Sequence, residues 1–300
     1  MSVPRKIVNL WVERKKLKNS LPTMYTLIAD SGSTKTEWAL LNERQMIRTL
    51  TTEGMNPFVM DDAAILRILT EQLLPRLSEL RPERVYFYGA GCKDHQIGRM
   101  QRLLTEVLGA EEVEVASDML GAARSVCGKS AGVVCIMGTG SNSCLYDGVR
   151  IVANVSPLGY ILGDEGSGAS LGKLLVGEVM KGDLGYLREQ LFESLGIDET
   201  SLIERVYRKP LANRFLASLT PFLHEHLDDA KVRKVVVDEF VRFFHRNVRH
   251  YARPDLTVNF AGSIAWWFAD ELKEAASIAG YKMGKIIQKP LEGLVEYHLG

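Results

Sequence analysis

The chain has 300 residues, with 37 Lys or Arg balanced by 37 Asp or Glu, so its formal net charge is zero. A hydrophobic content of 46% and a charged content of 25% are typical of a globular protein, and 300 residues suffice for two domains. This balance gives no basic field that would attract nucleic acid or an anionic membrane. No apolar run approaches the roughly 18 residues needed to span a bilayer. We therefore expect neither a nucleic acid nor a membrane partner.

The segment of residues 1–23 differs from the rest, because its basic residues are opposed by a single acidic residue, Glu13. Its apolar patches are too short for a signal peptide, and no small-residue cleavage site follows. We interpret it as a basic extension that is non-native or loosely ordered, with an amphipathic helix as the alternative. The four cysteines form no C-x-x-C pair, which favours free thiols in a reducing cytoplasm. The histidines do not have the spacing of metal ligands.

Short apolar runs bounded by small residues predict strands in the first part of the chain, at 25–29, 37–41, 46–51, 85–88 and 113–116. Helical spacing of apolar residues predicts helices between and after them. The first begins at Asp61 and runs to Leu77, and the others cover 96–108 and 119–126.

The pattern restarts in the middle of the chain. The segment IADSGSTKTEWALL at 28–41 has a counterpart in CIMGTGSNSCLYDG at 135–148, and each is followed by a third strand and a proline-containing loop. This indicates a loose internal duplication of one strand–hairpin unit. The later strands are predicted at 132–137, 143–146, 149–155, 257–260 and 285–288. Helices are predicted at 171–180, 202–207, 211–223, 232–244, 267–278 and 291–298.

The first turn of this duplication carries residues suited to phosphate. Backbone N–H groups there, with Ser33, Thr34 and Lys35, can hold phosphate groups, and Asp30 can act on an accompanying Mg²⁺. A Walker A loop needs Gly directly before its Lys and a helix after it, whereas here Thr34 precedes Lys35 and a strand follows. An ordinary hairpin with a solvated lysine is the alternative. The matching turn at 138–142 favours a nucleotide cleft between two facing lobes.

The order and spacing of several blocks resemble the actin-like ATPases, a superfamily that includes sugar kinases and heat-shock chaperones. The blocks are 30–36, 54–58, 89–91, 117–125, 138–142, the GDEGS segment at 163–167, and 261–263. More narrowly, they resemble the BadF/BadG/BcrA/BcrD ATPase family and its N-acetylglucosamine kinases. Where that family usually has Asp-Gly-Gly, this chain has Asp30-Ser31-Gly32.

This resemblance implies an α/β fold of two actin-like, ribonuclease-H-like lobes with a nucleotide and sugar cleft between them. Residues 24–117 would form the first lobe, and 118–288 the second, which has a large helical part. A closing helix at 289–300 would return to the first lobe.

The resemblance also implies roles for individual residues. Asp118 would be the catalytic base and Asp30 would act on Mg²⁺. Phosphate and nucleotide contacts would come from Ser31, Gly32, Ser33, Thr34, Lys35, Thr139, Gly140, Gly262, Ser263 and Gly293. Sugar contacts would come from Asn56, Phe58, Ala90, Gly91, Asp118 and Asp164.

Two of these carboxylates have an alternative interpretation. Asp is a favoured helix cap, and both Asp118 and the Asp164-Glu165 pair precede predicted helices. We interpret Trp266 and Trp267 as packing residues rather than an adenine shelf. The histidines at 224, 226, 245 and 250 are interpreted as surface or core residues.

We predict an ATP- and Mg²⁺-dependent kinase that phosphorylates the 6-hydroxyl of an N-acetylated amino sugar. N-Acetylglucosamine is the first expectation as substrate and N-acetylmuramic acid the close variant. Whether the chain forms a homodimer stays open.

Two alternative functions come from other classes of protein. One is an ATPase activator of a 2-hydroxyacyl-CoA dehydratase, which needs paired thiolates for an iron–sulfur cluster. The other is a nucleotide-driven switch without a sugar substrate.

Overall fold

The computed structural model describes residues 24–32, 34–43 and 45–300, so the basic extension and Ser33 lie outside the described residues. The chain divides into two compact units, one ending at Ala116 and the other running from Ser117 to His298. No helix in the described ranges has the length and apolar character to cross a membrane.

The first unit is built on a five-stranded sheet. Its strands are β1 (Thr26–Ser31), β2 (Lys35–Leu41), β3 (Met46–Glu53), β4 (Arg84–Gly89) and β5 (Glu112–Ser117). They lie in the order β3-β2-β1-β4-β5, with β1 antiparallel to β2 and parallel to β4. The chain between β3 and β4 forms α1 (Asp62–Arg67) and α2 (Leu74–Leu77), and α3 (His95–Leu108) precedes β5.

The core of the first unit lies between this sheet and its helices. Leu27, Trp38 and Phe87 from the strands form one fully buried cluster with Leu69 and Leu104 from the helical segments. Burying side chains of this size is the main favourable term in folding.

The segment between α1 and α2 differs from its predicted continuous helix. Residues Ile68–Leu73 form a π-helix, and Pro75 lies in the first turn of α2. Proline has no N–H, and its ring would collide with the carbonyl oxygen of Glu71 in a regular helix. The wider π-helical turn accommodates the hydrogen bond that proline cannot make. The spacing of apolar residues in the sequence does not reveal this change of helix type.

The second unit repeats the strand order of the first. Its strands are β6 (Gly132–Met137), β7 (Ser141–Tyr146), β8 (Ile151–Val155), β9 (Thr257–Ala261) and β10 (Lys282–Ile287). The order β10-β9-β6-β7-β8, with β6 antiparallel to β7 and parallel to β9, matches the first sheet when read from the other edge. The predicted duplication and the α/β class are therefore confirmed.

Helices make up most of the remaining second unit. They are α4 (Asp118–Cys127), α5 (Gly159–Leu162), α6 (Gly168–Lys181), α7 (Arg188–Leu195), α8 (Glu199–Tyr207), α9 (Ala212–Ala217), α10 (Thr220–Glu225), α11 (Ala230–Arg246), α12 (Ser263–Trp267), α13 (Ala269–Ala279) and α14 (Leu291–Leu299). The predicted helix over 211–223 breaks after Ala217, and Pro221 lies in the first turn of the new helix, where proline is tolerated.

The closing helix α14 packs on α4. Ser125 Oγ donates to the carbonyl oxygen of Pro290 at 2.9 Å, and the Arg124 guanidinium lies 5.1 Å from the ring centre of Tyr297. The residues of this helix as far as His298 belong to the second unit, whereas the sequence predicts that the helix returns to the first.

Candidate active site

The candidate phosphate turn of the first unit joins β1 to β2. The N–H of Gly32 donates to the carbonyl oxygen of Lys35 at 3.0 Å, and the N–H of Gly54 donates to that of Thr34 at 3.0 Å. The Lys35 ammonium forms an exposed ion pair with Glu37 at 3.2 Å. The turn is therefore held by one backbone bond of its own and one from the loop after β3, and Lys35 already faces a carboxylate.

Ser31 connects this turn to the next loop. Its fully buried hydroxyl lies 2.7 Å from Thr36 Oγ1, donates to the carbonyl oxygen of Met55 at 3.1 Å and accepts from the Met55 N–H at 3.2 Å. The hydroxyl is thus committed to the loop after β3. Asp30, one residue earlier and half-buried, points to the other face of the strand.

The loops after β3 and β4 meet at Gly91. This glycine has a φ of +77°, and a Cβ on it would lie 2.0 Å from Asn56 Oδ1 and 3.1 Å from the Cβ of Phe58. Asn56 Oδ1 accepts from the Phe58 N–H at 3.0 Å, and the Ala90 N–H donates to the carbonyl oxygen of Ser31 at 2.8 Å. The structure therefore brings together the predicted sugar contacts of the first unit.

Asp118 is the first residue of α4, directly after β5. The cap of this helix is Ser117, whose Oγ accepts from the Leu120 N–H at 3.2 Å. Asp118 is half-buried, and its Oδ1 accepts from the Met119 N–H at 2.9 Å. The alternative interpretation of Asp118 as the cap is therefore wrong.

The second candidate phosphate turn joins β6 to β7 and is held by the start of α6. The Gly138 N–H donates to the carbonyl oxygen of Gly140 at 2.9 Å. The Gly168 N–H donates to the carbonyl oxygen of Gly138 at 2.8 Å, and the Ala169 N–H donates to that of Thr139 at 3.1 Å. This turn is thus fixed against the segment that carries Asp164.

The carboxylate of Asp164 lies against this second turn. Its Oδ1 accepts a long hydrogen bond of 3.4 Å from the Ser141 N–H, and a Cβ on Gly140 would lie only 2.9 Å from its Oδ2. Asp164 has a φ of 54°, a conformation that few non-glycine residues adopt. Burial raises the pKa of Asp164. Glycine at 140 therefore leaves the space that the carboxylate occupies.

Two buried carboxylates hold the GDEGS segment in place. Glu239 Oε1, on α11, accepts from the Gly166 N–H at 2.9 Å and from Ser170 Oγ at 2.6 Å. Glu165 Oε1 pairs with Arg246 Nε at 2.7 Å. Charge-assisted bonds of this kind are about twice as strong as neutral ones, so they fix the backbone beside Asp164.

Two adjoining cavities lie in the second unit, and the smaller one begins at the second turn. The smaller has a volume of about 260 Å³ and is lined by Gly138, Thr139 and Arg214 among others. The larger, about 540 Å³, extends along α10 and α12. Both are lined by Ala217, Ser218, Thr220, Ser263 and Ile264.

The larger cavity has an aromatic wall. It is lined by Pro221, His224, Trp267 and Phe268. The His224 ring stands edge-on to Trp267 and Phe268, with ring centres 5.7 and 5.5 Å apart. Sequence reasoning missed these residues as a site, since Trp267 is predicted to pack and instead is 57% exposed. The helix break near Pro221 is the sequence signal that could have indicated an opening there.

The glycines assigned to the adenosine side lie in different surroundings. Gly262 has a φ of +124°, and a Cβ there would lie 2.2 Å from the carbonyl oxygen of Met137, so Ser263 is held beside the second turn. Gly293 instead faces α4, where a Cβ would lie 2.3 Å from Ser125 Oγ. Its role in the structure is close helix packing.

In the described part of the chain, no group of three or more His, Cys, Asp or Glu side chains could hold a metal ion. All four cysteines are free. Burial raises the pKa of Cys127 to about 11 and that of Cys144 to about 12, so both thiols stay protonated near neutral pH.

Comparison with solved structures shows high sequence identity to a protein of known structure. The chain is 46% identical to a candidate N-acetylglucosamine kinase of Porphyromonas gingivalis, over 91% of this chain and 98% of that one, with a TM-score of 0.88. No family model and no curated protein sequence matches the chain.

Two more distant structures share the fold alone. A candidate N-acetylglucosamine kinase of Chromobacterium violaceum is 16% identical, with a TM-score of 0.73 over 93% of this chain and 99% of that one. The ROK hexokinase of Thermus thermophilus is 14% identical, with a TM-score of 0.58 over 91% and 98%. The two sheets of this chain are therefore those of the two-lobed actin-like ATPase fold.

Proposed function

This chain belongs to the N-acetylglucosamine kinase-like branch of the BadF/BadG/BcrA/BcrD ATPase family, and from that premise we propose that it transfers the γ-phosphoryl group of ATP to an N-acetylated amino sugar. N-Acetylglucosamine is the proposed substrate and its 6-hydroxyl the acceptor. The 46% identity over 91% of the chain supports the sugar class. N-Acetylmuramic acid is the variant that the same assay tests.

The observation that carries this proposal is the pair of adjoining cavities, of which the smaller begins at the second turn and the larger has the aromatic wall. The aromatic wall around Trp267 suits a flat adenine ring, and the turn at Gly138 and Thr139 suits phosphate groups. Ser263 lines both cavities and would lie between the base and the phosphates. We propose this arrangement as the nucleotide site, without a contact from Gly293.

We propose that the first turn, between β1 and β2, binds phosphate and Mg²⁺. The ion is usually held by one or two carboxylates together with substrate phosphates and water, so the half-buried carboxylate of Asp30 fits it. When bound, Mg²⁺ neutralises charge on the transferred phosphoryl group. Thr34 and Lys35 would supply the neighbouring phosphate contacts, and the Gly32 N–H, which donates to the carbonyl oxygen of Lys35, would hold the turn in shape.

Asp118 is the proposed base. Its carboxylate would take the proton of the sugar hydroxyl as that oxygen bonds to the γ-phosphorus, while the bond to the β–γ bridging oxygen breaks and ADP leaves. Asp118 is the first residue of α4, directly after the Ser117 cap, and its carboxylate is half-buried there. A general base contributes about 10²- to 10⁴-fold to the rate.

The sugar contacts are proposed unit by unit. In the first unit they are Asn56, Phe58, Ala90 and Gly91, whose loops meet beside β1. In the second unit the contact is Asp164, a carboxylate held by rigid surroundings that can accept hydrogen bonds from sugar hydroxyls.

The cysteines give little support to the alternative function, an ATPase activator of a 2-hydroxyacyl-CoA dehydratase. An iron–sulfur cluster needs thiolate ligands, whereas Cys92, Cys135 and Cys144 are buried and Cys127 has a raised pKa. Free thiols also suit the reducing cytoplasm that we propose as the location of the enzyme.

The test is ATP consumption by the purified protein with N-acetylglucosamine, N-acetylmuramic acid, N-acetylmannosamine, glucosamine, glucose or no sugar. We expect turnover on an N-acetyl sugar, reduced about 10²- to 10⁴-fold in Asp118→Asn. Asp270→Asn is the matched control, since Asp270 is an exposed carboxylate paired with Lys273. Hydrolysis that no sugar stimulates would contradict the kinase and favour the switch.

A further inference from the structure

Arg99 holds the loop at 56–60 with its guanidinium group. It lies on α3, and its Nη1 donates to the carbonyl oxygen of Pro57 at 2.6 Å while Nη2 donates to that of Met60 at 2.8 Å. Its Nε donates to the carboxylate of Asp62, just beyond the loop. Only 20% of the Arg99 side chain is exposed.

This bonding pattern depends on the shape of arginine. A planar fork with five N–H donors can reach two carbonyl oxygens and a carboxylate at once, whereas an ammonium group is a single point charge. Nη1 also donates to Gln96 Oε1 at 3.1 Å. The hydrogen bond from Arg99 holds the pKa of Asp62 below its ordinary value, so the partner carboxylate stays charged.

The start of the same loop is fixed separately, by the bonds between Ser31 and the Met55 backbone. Between these two attachments lies Asn56, whose side chain fills the space beside Gly91. The orientation of Asn56 is therefore set by Ser31 on one side and by Arg99 on the other.

We propose that Arg99 is a positioning residue for the amino sugar: it fixes the loop of Asn56 and Phe58 and so sets sugar affinity without contacting the sugar. This inference rests on the proposed function, in which that loop contacts the sugar. A loop misplaced by about 1 Å can cost on the order of 10²-fold in activity.

Arg102 provides a matched control on the same helix. Its Nη2 donates to the other oxygen of Asp62 at 2.8 Å, but its side chain is 65% exposed. Arg102→Lys therefore changes an arginine bound to the same carboxylate, while both loop carbonyls keep their bonds to Arg99. Exposed ion pairs of this kind contribute little to the free energy of folding.

The experiment compares Arg99→Lys and Arg102→Lys in the full chain by steady-state kinetics and thermal melting. We expect Arg99→Lys to raise the KM for N-acetylglucosamine about 10- to 100-fold, with the KM for ATP near wild type and the melting temperature lowered by only a few degrees. Arg102→Lys should leave both KM values within about twofold. Equal sugar KM values in the two variants, or a parallel rise in the ATP KM, would overturn the inference.

Hydrogen exchange separates positioning from general destabilisation. In Arg99→Lys, faster exchange should be confined to the 56–60 loop, and faster exchange throughout the first unit would contradict the proposal. Wild-type protein without sugar-dependent turnover would overturn the proposed function and this inference with it. Wild-type turnover on the sugar with an unaffected Arg99→Lys would overturn this inference alone.

Discussion

Replacing Trp267 by Ala tests the base-binding role of the larger cavity. Trp267 lines that cavity and is 57% exposed, so its indole is not a core residue. Stacking between a base and an aromatic ring is worth about 1–3 kcal/mol by alanine substitution. At 1.4 kcal/mol per tenfold, Trp267→Ala should weaken ATP binding by about 5- to 150-fold.

The cost to the fold should be smaller. Trp267 contacts His224 edge-on at 5.7 Å, and such aromatic pairs contribute about 0.5–1.5 kcal/mol. Trp266→Ala is the matched control, because Trp266 is the preceding residue and is 47% exposed but does not line either cavity. We expect it to change nucleotide affinity by about twofold or less.

The assay is isothermal titration of each variant with a non-hydrolysable ATP analogue and, separately, with inorganic triphosphate. Only the analogue carries a base, so Trp267→Ala should lose affinity for the analogue and keep its affinity for triphosphate. Equal losses in Trp266→Ala and Trp267→Ala would show that Trp267 does not stack on the base. So would an equal loss of triphosphate binding, because the effect would then not concern the base.

Two further predictions concern a glycine and a tyrosine. Gly91→Ala places a Cβ 2.0 Å from Asn56 Oδ1, so it should raise the sugar KM about tenfold or more in steady-state kinetics. Gly109 is the control, because it also has a positive φ, +66°, but open space surrounds a new Cβ there. Gly109→Ala should lower the free energy of unfolding, measured in urea, by only about 1–2 kcal/mol. A rise in its sugar KM equal to that of Gly91→Ala would contradict this prediction. Burial raises the pKa of Tyr251 from 10.0 to about 12, so the unfolded state ionises first and stability falls as pH rises from 10.0 through 12. Tyr251→Phe should show a shallower alkaline loss in urea unfolding, and an unchanged slope would refute this assignment.

The strand framework could be predicted from the sequence because each strand is a short apolar run bounded by a small-residue turn. The duplication at 28–41 and 135–148 could be recognised for the same reason, and both sheets have the same strand order. The π-helix at Ile68–Leu73 could not, since its cause is a collision around Pro75 that leaves apolar spacing unchanged.

The candidate site was predicted where its residues follow strand ends and missed where it depends on contacts between distant segments. Asn56 and Gly91 are 35 positions apart, yet both belong to loops that the sequence places after strands. His224 and Trp267 lie on helices whose pattern resembles ordinary packing, so only their contact reveals a cavity wall. Arg99 is a similar case, because one arginine on a helix gives no signal of the carbonyls that it binds.

Phosphorus NMR of a reaction containing ATP, Mg²⁺ and N-acetylglucosamine tests whether the chain transfers phosphate to the 6-hydroxyl of the sugar. We predict a new phosphomonoester signal coupled to the protons on C6 of the sugar, together with signals of ADP. Asp118→Asn should give neither product within the same time. Inorganic phosphate in place of the sugar phosphate, or a phosphomonoester at another position, would contradict it.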